Sequence, residues 1–225
     1  MNHLPPSDLT SRFIQESDPY ASEIVFPLPS FWWSRPYEYQ WCSAFAEAED
    51  IVLDAACGIS HPFKFYLAQH CKQAHACDWD PQIVSFPAIV EGVRTDFGDA
   101  AAERVDTQFR SNLQLQQAGL AELPYRDRLF DKIFCISVME HLSPSDALLA
   151  MHEFHRTLKD DGAVVITLDY PTVDLTYFRL IMSLAGFEFV GAVDTRIPEN
   201  VLHTEQWGGL SCFRMLLKKA PLQLP

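Results

Sequence analysis

The sequence predicts an α/β protein: a three-layer sandwich whose seven-stranded, mostly parallel sheet ends in an antiparallel C-terminal hairpin. Three observations carry that prediction. From residue 51 onward, short apolar runs alternate with helical patterns, the rhythm of strands joined by right-handed crossovers. The middle runs are apolar on both faces, as strands covered by helices on each side must be. The last two runs are joined by "TRIPENVLHTEQWGGLS", which has no helical pattern, so they are expected to pair antiparallel across a long loop.

The elements follow in order. The start, "MNHLPPSDLTSRF", has neither the basic nor the apolar stretch of a secretory signal and is expected to be a frayed tail. The segment "FWWSRPYEYQWCSAFAEAED" packs six aromatic residues into its first eleven positions and then becomes an amphipathic helix. Residues 1–50 are therefore expected to cap the sheet, and residues 51–225 to form the domain itself. The expected strands span residues 51–56, 74–78, 113–117, 132–137, 163–169, 187–193 and 212–218. The clearest helix follows "HLSPSDALLAMHEFHRTLKDDG". Ser143 suits the N-cap, Pro144 the first helical position, and Asp146 the positive end of the helix. Ala147, Met151, Phe154 and Leu158 then make one apolar face, and Lys159 and Gly162 are expected to close it. A second helix, over about residues 173–185, leads through Gly186 into the next strand.

Composition bounds the function. A chain of 225 residues, 48% hydrophobic and 21% charged, fits one soluble globular domain. No run approaches the roughly 20 apolar residues of a membrane span, so no membrane partner is expected. The formal net charge is −13, with 30 acidic against 17 basic residues, which argues against nucleic acid as a partner. Six cysteines are scattered with no C-x-x-C pair, and reduced thiols in a cytoplasmic protein are the expectation.

Most of the functional question hangs on "IVLDAACGIS", residues 51–60. In open α/β sheets ligands bind beyond the carboxyl ends of the strands, so the loop after the first strand is the first place to look. Close approach to a ligand favours small residues, and Ala55, Ala56, Gly58 and Ser60 are all small. Asp54, at the strand end, can accept from an ammonium or from backbone N–H groups. Asp78 in "AHACDWDP" lies 20 positions past Gly58, at the end of the next strand, where a carboxylate can accept both hydroxyls of a ribose. Trp79 offers a flat face for a purine. Each residue also has a plain reading, as helix cap, exposed strand end or core aromatic; spacing and place in the fold favour a ligand site when they are taken together. The loop continues as "GISHPF", without the further glycines of a dinucleotide fingerprint, so NAD is poorly supported.

Four stretches in the correct order over about residues 50–170 resemble the class I (Rossmann-like) S-adenosylmethionine-dependent methyltransferases. "VLDAACG" is similar to the family's first motif, and "CDWDP" to its acidic ribose-binding position. "AELPYRDRLFDKIFCISVMEHL" resembles its L-P-F, turn, F-D and fourth-strand stretch. "HEFHRTLKDDGAVVITLDYP" resembles its R-x-L-K-P-G-G helix and fifth strand. The resemblance implies S-adenosyl-L-methionine as cofactor, held by Asp54, Ala56, Gly58, Asp78 and Trp79, with a seven-stranded sheet ending in an antiparallel pair. Ala56 and Ser60 replace two motif glycines, and Gly119 and Leu120 stand where relatives often hold an aspartate against adenine. Adenine recognition is then expected from the backbone of Leu120 and Ala121, with Trp79 stacking.

Methyl transfer needs chiefly positioning and desolvation from the protein, and an acidic acceptor also needs a base. "SVMEHL" offers Glu140 and His141 as catalytic candidates, His141 being the better base by its ordinary pKa; a histidine bonded to backbone is the equal alternative. His152 and His155 stand three apart, but without H-E-x-x-H or a third ligand no metal is expected. Arg35 is a lone cation among aromatics, able to clamp a carboxylate of cofactor or substrate. Trp33, Tyr37 and Tyr39 can wall a pocket or simply pack, and Tyr37 is taken as a substrate contact. The C-terminal hairpin loop contributes His203, Glu205 and Trp207 at the same edge, His203 and Trp207 as substrate contacts. The expected activity is methylation of an oxygen or nitrogen of a small molecule. The alternatives are a non-catalytic S-adenosylmethionine- or S-adenosylhomocysteine-binding protein and, more weakly supported, an NAD-dependent oxidoreductase.

Overall fold

The computed structural model describes residues 5–109 and 113–221. The strands are β1 Ser11–Phe13, β2 Ile51–Ala55, β3 Gln73–Asp78, β4 Leu113–Gln117, β5 Phe130–Ile136, β6 Leu158–Tyr170, β7 Phe187–Phe189, β8 Val193–Asp194, β9 His203–Thr204 and β10 Leu210–Lys219. The helices are α1 Pro6–Leu9, α2 Arg35–Ser43, α3 Phe63–His70, α4 Phe86–Phe97, α5 Asp99–Gln108, α6 Pro144–Thr157 and α7 Leu175–Leu184. The path through the sheet is β4-β3-β2-β5-β6-β10-β1-β8, with β7 and β9 also paired to β10. The pairs from β4 to β6 are parallel, and β10 runs antiparallel to β6 and β7, as the hairpin prediction required. One apolar cluster lies against α6 and α7, including Phe154 and Phe178. A second lies against α2 to α5, including Phe45 and Val93, so the sheet is covered on both faces.

Among the described residues the sheet has ten strands rather than the expected seven, and the difference lies along and beyond the outer edge of β10. Leu217 to Lys219 pair with β7, Arg214 and Phe213 with β1, and Ser211 and Leu210 with β9. Residues 11–13, expected in a frayed tail, are therefore a sheet strand. Open edges of a central strand seek backbone partners, and the N-terminal segment supplies them. Buried Arg214 secures the segment by donating to the Ser7 carbonyl at 2.7 Å, with its guanidinium 5.0 Å from the Trp41 ring centre. The expected strand 187–193 breaks at Gly191, where an added Cβ would stand 2.5 Å from the Leu9 carbonyl oxygen. The chain crosses under α1 there and resumes as β8, parallel to β1.

Helix α6 begins as predicted, with Ser143 Oγ accepting from the Asp146 N–H at 3.2 Å. It ends earlier than Lys159 and Gly162 suggest, because Leu158 is already extended and paired to Phe130. Gly162 lies inside β6 beside a bulge, where a Cβ would meet the Asp131 carbonyl oxygen at 2.8 Å. Close strand approach, not helix termination, requires that glycine. Helix α7 starts on the Asp174 carboxylate, which accepts from the N–H groups of Thr176 and Tyr177.

Candidate active site

Strand order reverses between β2 and β5: β3 and β4 lie to one side, β6 and β10 to the other. A crevice must open beyond the carboxyl ends at such a switch point. A cavity of about 620 Å³ occupies it, walled by Asp54, Gly58, Asp78, Trp79, Leu120 and Ser137 among others. A second cavity, of about 520 Å³, adjoins it; Arg35, His61 and His141 line both.

The loop after β2 is shaped by hydrogen bonds to both of its sides. Gly58 N–H donates to Asp78 Oδ2 at 2.9 Å, and Asp80 N–H to Asp78 Oδ1 at 3.0 Å. The ammonium of Lys64, wholly buried on α3, donates to the carbonyls of Gly58 at 2.9 Å and His61 at 2.7 Å. Burial pushes the Lys64 pKa down, and Cys57, Asp54 and Asp78 pull it back. Ser60, in place of a motif glycine, donates to Asp96 Oδ2 at 2.5 Å and so ties the loop to α4. Ala56 and Gly58 both take left-handed backbone, with φ of 54° and 63°. An alanine there is strained where glycine is not. Ala56→Gly is therefore expected to leave stability equal or up to about 1 kcal/mol higher, measured by urea denaturation; a clear loss would show that the Ala56 methyl makes a contact worth more than its strain.

Asp54 is buried at the cavity floor. Burial raises its pKa to about 7, Lys64 opposing and Asp78 adding to the rise. Trp79 stands 78% exposed at the rim, its carbonyl oxygen accepting from Gln117 Nε2 at 3.1 Å, so one face is open to a planar ligand. Ala118 N–H donates to the Asp78 carbonyl, holding the segment 118–120 against the cavity. Leu120 lines it; Ala121, expected beside it, is exposed and does not. Gly119 has open space where a Cβ would be.

Arg35 reaches both cavities, but its guanidinium is paired with Glu38 one turn along α2. Glu38 is wholly buried and also accepts from Ser137 Oγ at 2.6 Å, Thr167 Oγ1 at 2.5 Å and Cys212 Sγ at 3.4 Å. Burial acts to raise its pKa, yet Arg35 and the hydroxyls win and hold it below the usual carboxylate range. The carboxylate that Arg35 clamps is thus the protein's own. Tyr39, four residues on and so on the same face, shares a 3.0 Å hydrogen bond with His61 Nδ1, and Trp32 stacks on the His61 ring at 4.7 Å. Burial, helped by the Arg35 and Lys64 charges, pushes the His61 pKa down to about 3; the ring is neutral.

His141 and Glu140 follow β5 in a short turn, Met139–His141. His141 is exposed at the seam of the cavities, and Glu140 lines the second one. Trp207 and Trp33 line the second cavity, but Tyr37 and His203, expected beside them, line neither. Tyr37 stands two positions from Arg35, about 200° around the helix, where it packs against Tyr20 and donates to the Glu16 carbonyl at 3.4 Å. His203 is turned to Ser211 Oγ and Glu205, each at 3.2 Å. His155 packs edge-on against Phe187 and His152 is exposed.

Sequence reasoning missed Lys64, His61, Glu38 and Asp169. A lysine inside the apolar run "FKFYL" was a signal for the first, since a buried ammonium must be paired. Asp169 lies one residue before the end of β6, as Asp78 lies at the end of β3, and that place at the carboxyl edge could have marked it.

Comparison with known proteins agrees with this geometry. A TehB-like SAM-dependent methyltransferase from Corynebacterium glutamicum superposes with a TM-score of 0.54 at 17% identity, covering 81% of this chain and 86% of that one. A 1,6-didemethyltoxoflavin-N1-methyltransferase from Burkholderia thailandensis, solved with 1,6-didemethyltoxoflavin and S-adenosylhomocysteine bound, gives 0.53 at 17% identity over 84% and 80% of the two chains. An uncharacterized protein of Methanocaldococcus jannaschii is 35% identical over 51 residues, 23% of this chain, and the match spans about a fifth of that relative's length (21%). Residues 53–166, half of the chain, match the family described as methyltransferase domain. With its switch-point cavity and the fold of the SAM-dependent enzymes, the chain belongs to that methyltransferase family.

Proposed function

We propose that the protein transfers a methyl group from S-adenosylmethionine to an oxygen or nitrogen of a small molecule. The observation that carries this reading is the pair of adjoining cavities that share Arg35, His61 and His141: the first is lined by Asp78 and Trp79, which suit a nucleoside, and the second by aromatics. The first fits the cofactor. Asp78 keeps lone pairs for ribose hydroxyls beyond its two backbone bonds, Trp79 offers its open face to adenine, and Asp54 meets a ligand ammonium at the floor. When bound, S-adenosylmethionine supplies a methyl group on a sulfonium centre. The chain's own part is to exclude water with the aromatic wall, orient the acceptor, and hold a proton at Glu140 or His141. The six free cysteines fit a reducing cytoplasm.

Calorimetric titration with S-adenosylmethionine, S-adenosylhomocysteine and NAD tests the reading. The two sulfur ligands are expected to bind and NAD is not. Asp78→Ala, which removes two charge-assisted hydrogen bonds to ribose, is expected to weaken S-adenosylhomocysteine binding about 100-fold, with Asp78→Asn in between. Preference for NAD, or an Asp78→Ala variant that binds as tightly as the parent, sinks it. Binding without turnover across a panel of acceptors would instead favour a cofactor-binding protein that performs no transfer.

A further inference from the structure

The second cavity has an unmatched charge pattern. Two of its lining residues are acids, Glu140 and Asp169. Among the described residues, neither carboxylate oxygen of Glu140 has a hydrogen-bond partner in another residue, nor has Asp169 Oδ1, and all three atoms are buried. Buried polar atoms left unpaired are costly and rare, so three in one cavity call for a donor from outside the chain. The protein's own cation at this place does not supply it, because Arg35 is engaged by Glu38. Phe31, Trp32, Trp33 and Trp207 stand around the same space, with the His61 and His141 rings at its border with the first cavity. Aromatic faces attract cations as well as apolar bodies, and an anion in this cavity would meet two acids.

We propose that this cavity binds a small molecule carrying a basic amine on an apolar or aromatic skeleton, its N–H groups donating to Glu140 and Asp169. The inference rests on the methyltransferase reading for the ligand's role as acceptor, and it narrows that acceptor from oxygen or nitrogen to an amine. The same carboxyl groups can take the proton of the bound ammonium: the N–H bond breaks, a carboxyl O–H forms, and the lone pair stays on nitrogen. Burial raises both pKa values, Glu140 to about 8 and Asp169 to about 6, so near neutral pH Asp169 is the ionised carboxylate that takes the proton, and Glu140 joins it in alkali.

The test uses three probes on one indole skeleton, namely tryptamine, tryptophol and indole-3-acetate. They are titrated calorimetrically into the full chain, first alone and then with S-adenosylhomocysteine. Tryptamine is expected to bind about ten-fold or more tighter than tryptophol, as charge-assisted hydrogen bonds exceed neutral ones, and indole-3-acetate weakest. Glu140→Gln and Asp169→Asn should each shrink that preference and the double variant abolish it, with thermal unfolding confirming that each variant folds. If the double variant does not fold, the two single variants decide. Equal binding of tryptophol or indole-3-acetate, a preference that survives the substitutions, or no binding of any probe overturns the proposal. S-adenosylhomocysteine binding without an amine preference overturns the amine cavity and leaves the methyltransferase reading standing. An amine preference without S-adenosylhomocysteine binding supports the cavity and removes the methyl-transfer reading.

Discussion

Glu38→Ala is expected to destabilise the protein by about 3–5 kcal/mol, the usual cost of removing one partner from a buried ion pair. Glu38 is wholly buried and Arg35 is its counterion, while the hydroxyls of Ser137 and Thr167 donate to the same carboxylate oxygen. Truncation removes the partner of the guanidinium and of both hydroxyls at once. The carboxylate also joins α2 to β5, β6 and, through Cys212, to β10, so its loss loosens the wall shared by both cavities. The pH dependence has a definite sign. Because the folded pKa is held below the ordinary value, the contribution is complete above the unfolded pKa and is lost as pH falls through the folded one. Urea denaturation at neutral pH is the measurement, with Arg35→Met/Glu38→Met as the control. If the loss comes from a stranded charge, the double variant recovers most of it. A double variant as unstable as Glu38→Ala would place the loss in the hydroxyl bonds and the packing of α2 instead.

The sheet from β2 to β6 and the loops at its carboxyl edge were legible because their signals are local and periodic. A both-face apolar strand ending in Asp54, and a carboxylate 20 residues past Gly58, fix strand ends and loop together. The small-residue loop is an ordered cavity wall, and Ser60 shows how the chain uses a position where relatives hold glycine: its hydroxyl bonds to Asp96. The outer edge was not legible. A three-residue strand such as Ser11–Phe13 has no period to detect, and it is a strand only because β10 offers an open edge. Gly162 looked like a helix stop because composition cannot distinguish a left-handed cap from close strand approach. Among the candidate site residues, Arg35 as a carboxylate clamp and Tyr37 as a substrate contact were both placed at the site, and helical phase separates them. Lys64 and Asp169 were visible as residues, but their roles depend on burial and on which partners are missing, and those are properties of the assembled fold.

Glu140→Gln is expected to stabilise the ligand-free protein in alkali and to change it little in acid. Burial is the chief cause that lifts the Glu140 pKa from 4.5 to about 8; its own backbone N–H opposes this, and the charges of Asp169 and Glu38 add to it. A raised carboxyl pKa means that the folded protein holds its proton more tightly than the unfolded chain does. The penalty is therefore absent below about pH 4.5, grows across the interval to about pH 8, and is constant above it. The full interval corresponds to at most about 5 kcal/mol. Gln keeps the shape and removes the ionisation, so the variant's gain should follow the same curve. Denaturation of parent and variant across that interval measures it directly. Equal stability differences at both ends would mean that Glu140 is solvated and ordinary, and the cavity would lose one of the two acids that call for an amine. A gain that appears only in alkali, and that shrinks when tryptamine is present, would identify the unpaired carboxylate as the group the ligand satisfies. Binding to the folded parent raises its stability in proportion to occupancy, so the ligand and the substitution should offset the same penalty and not add. That non-additivity is the signature of a shared site, and two independent stabilisations would sum.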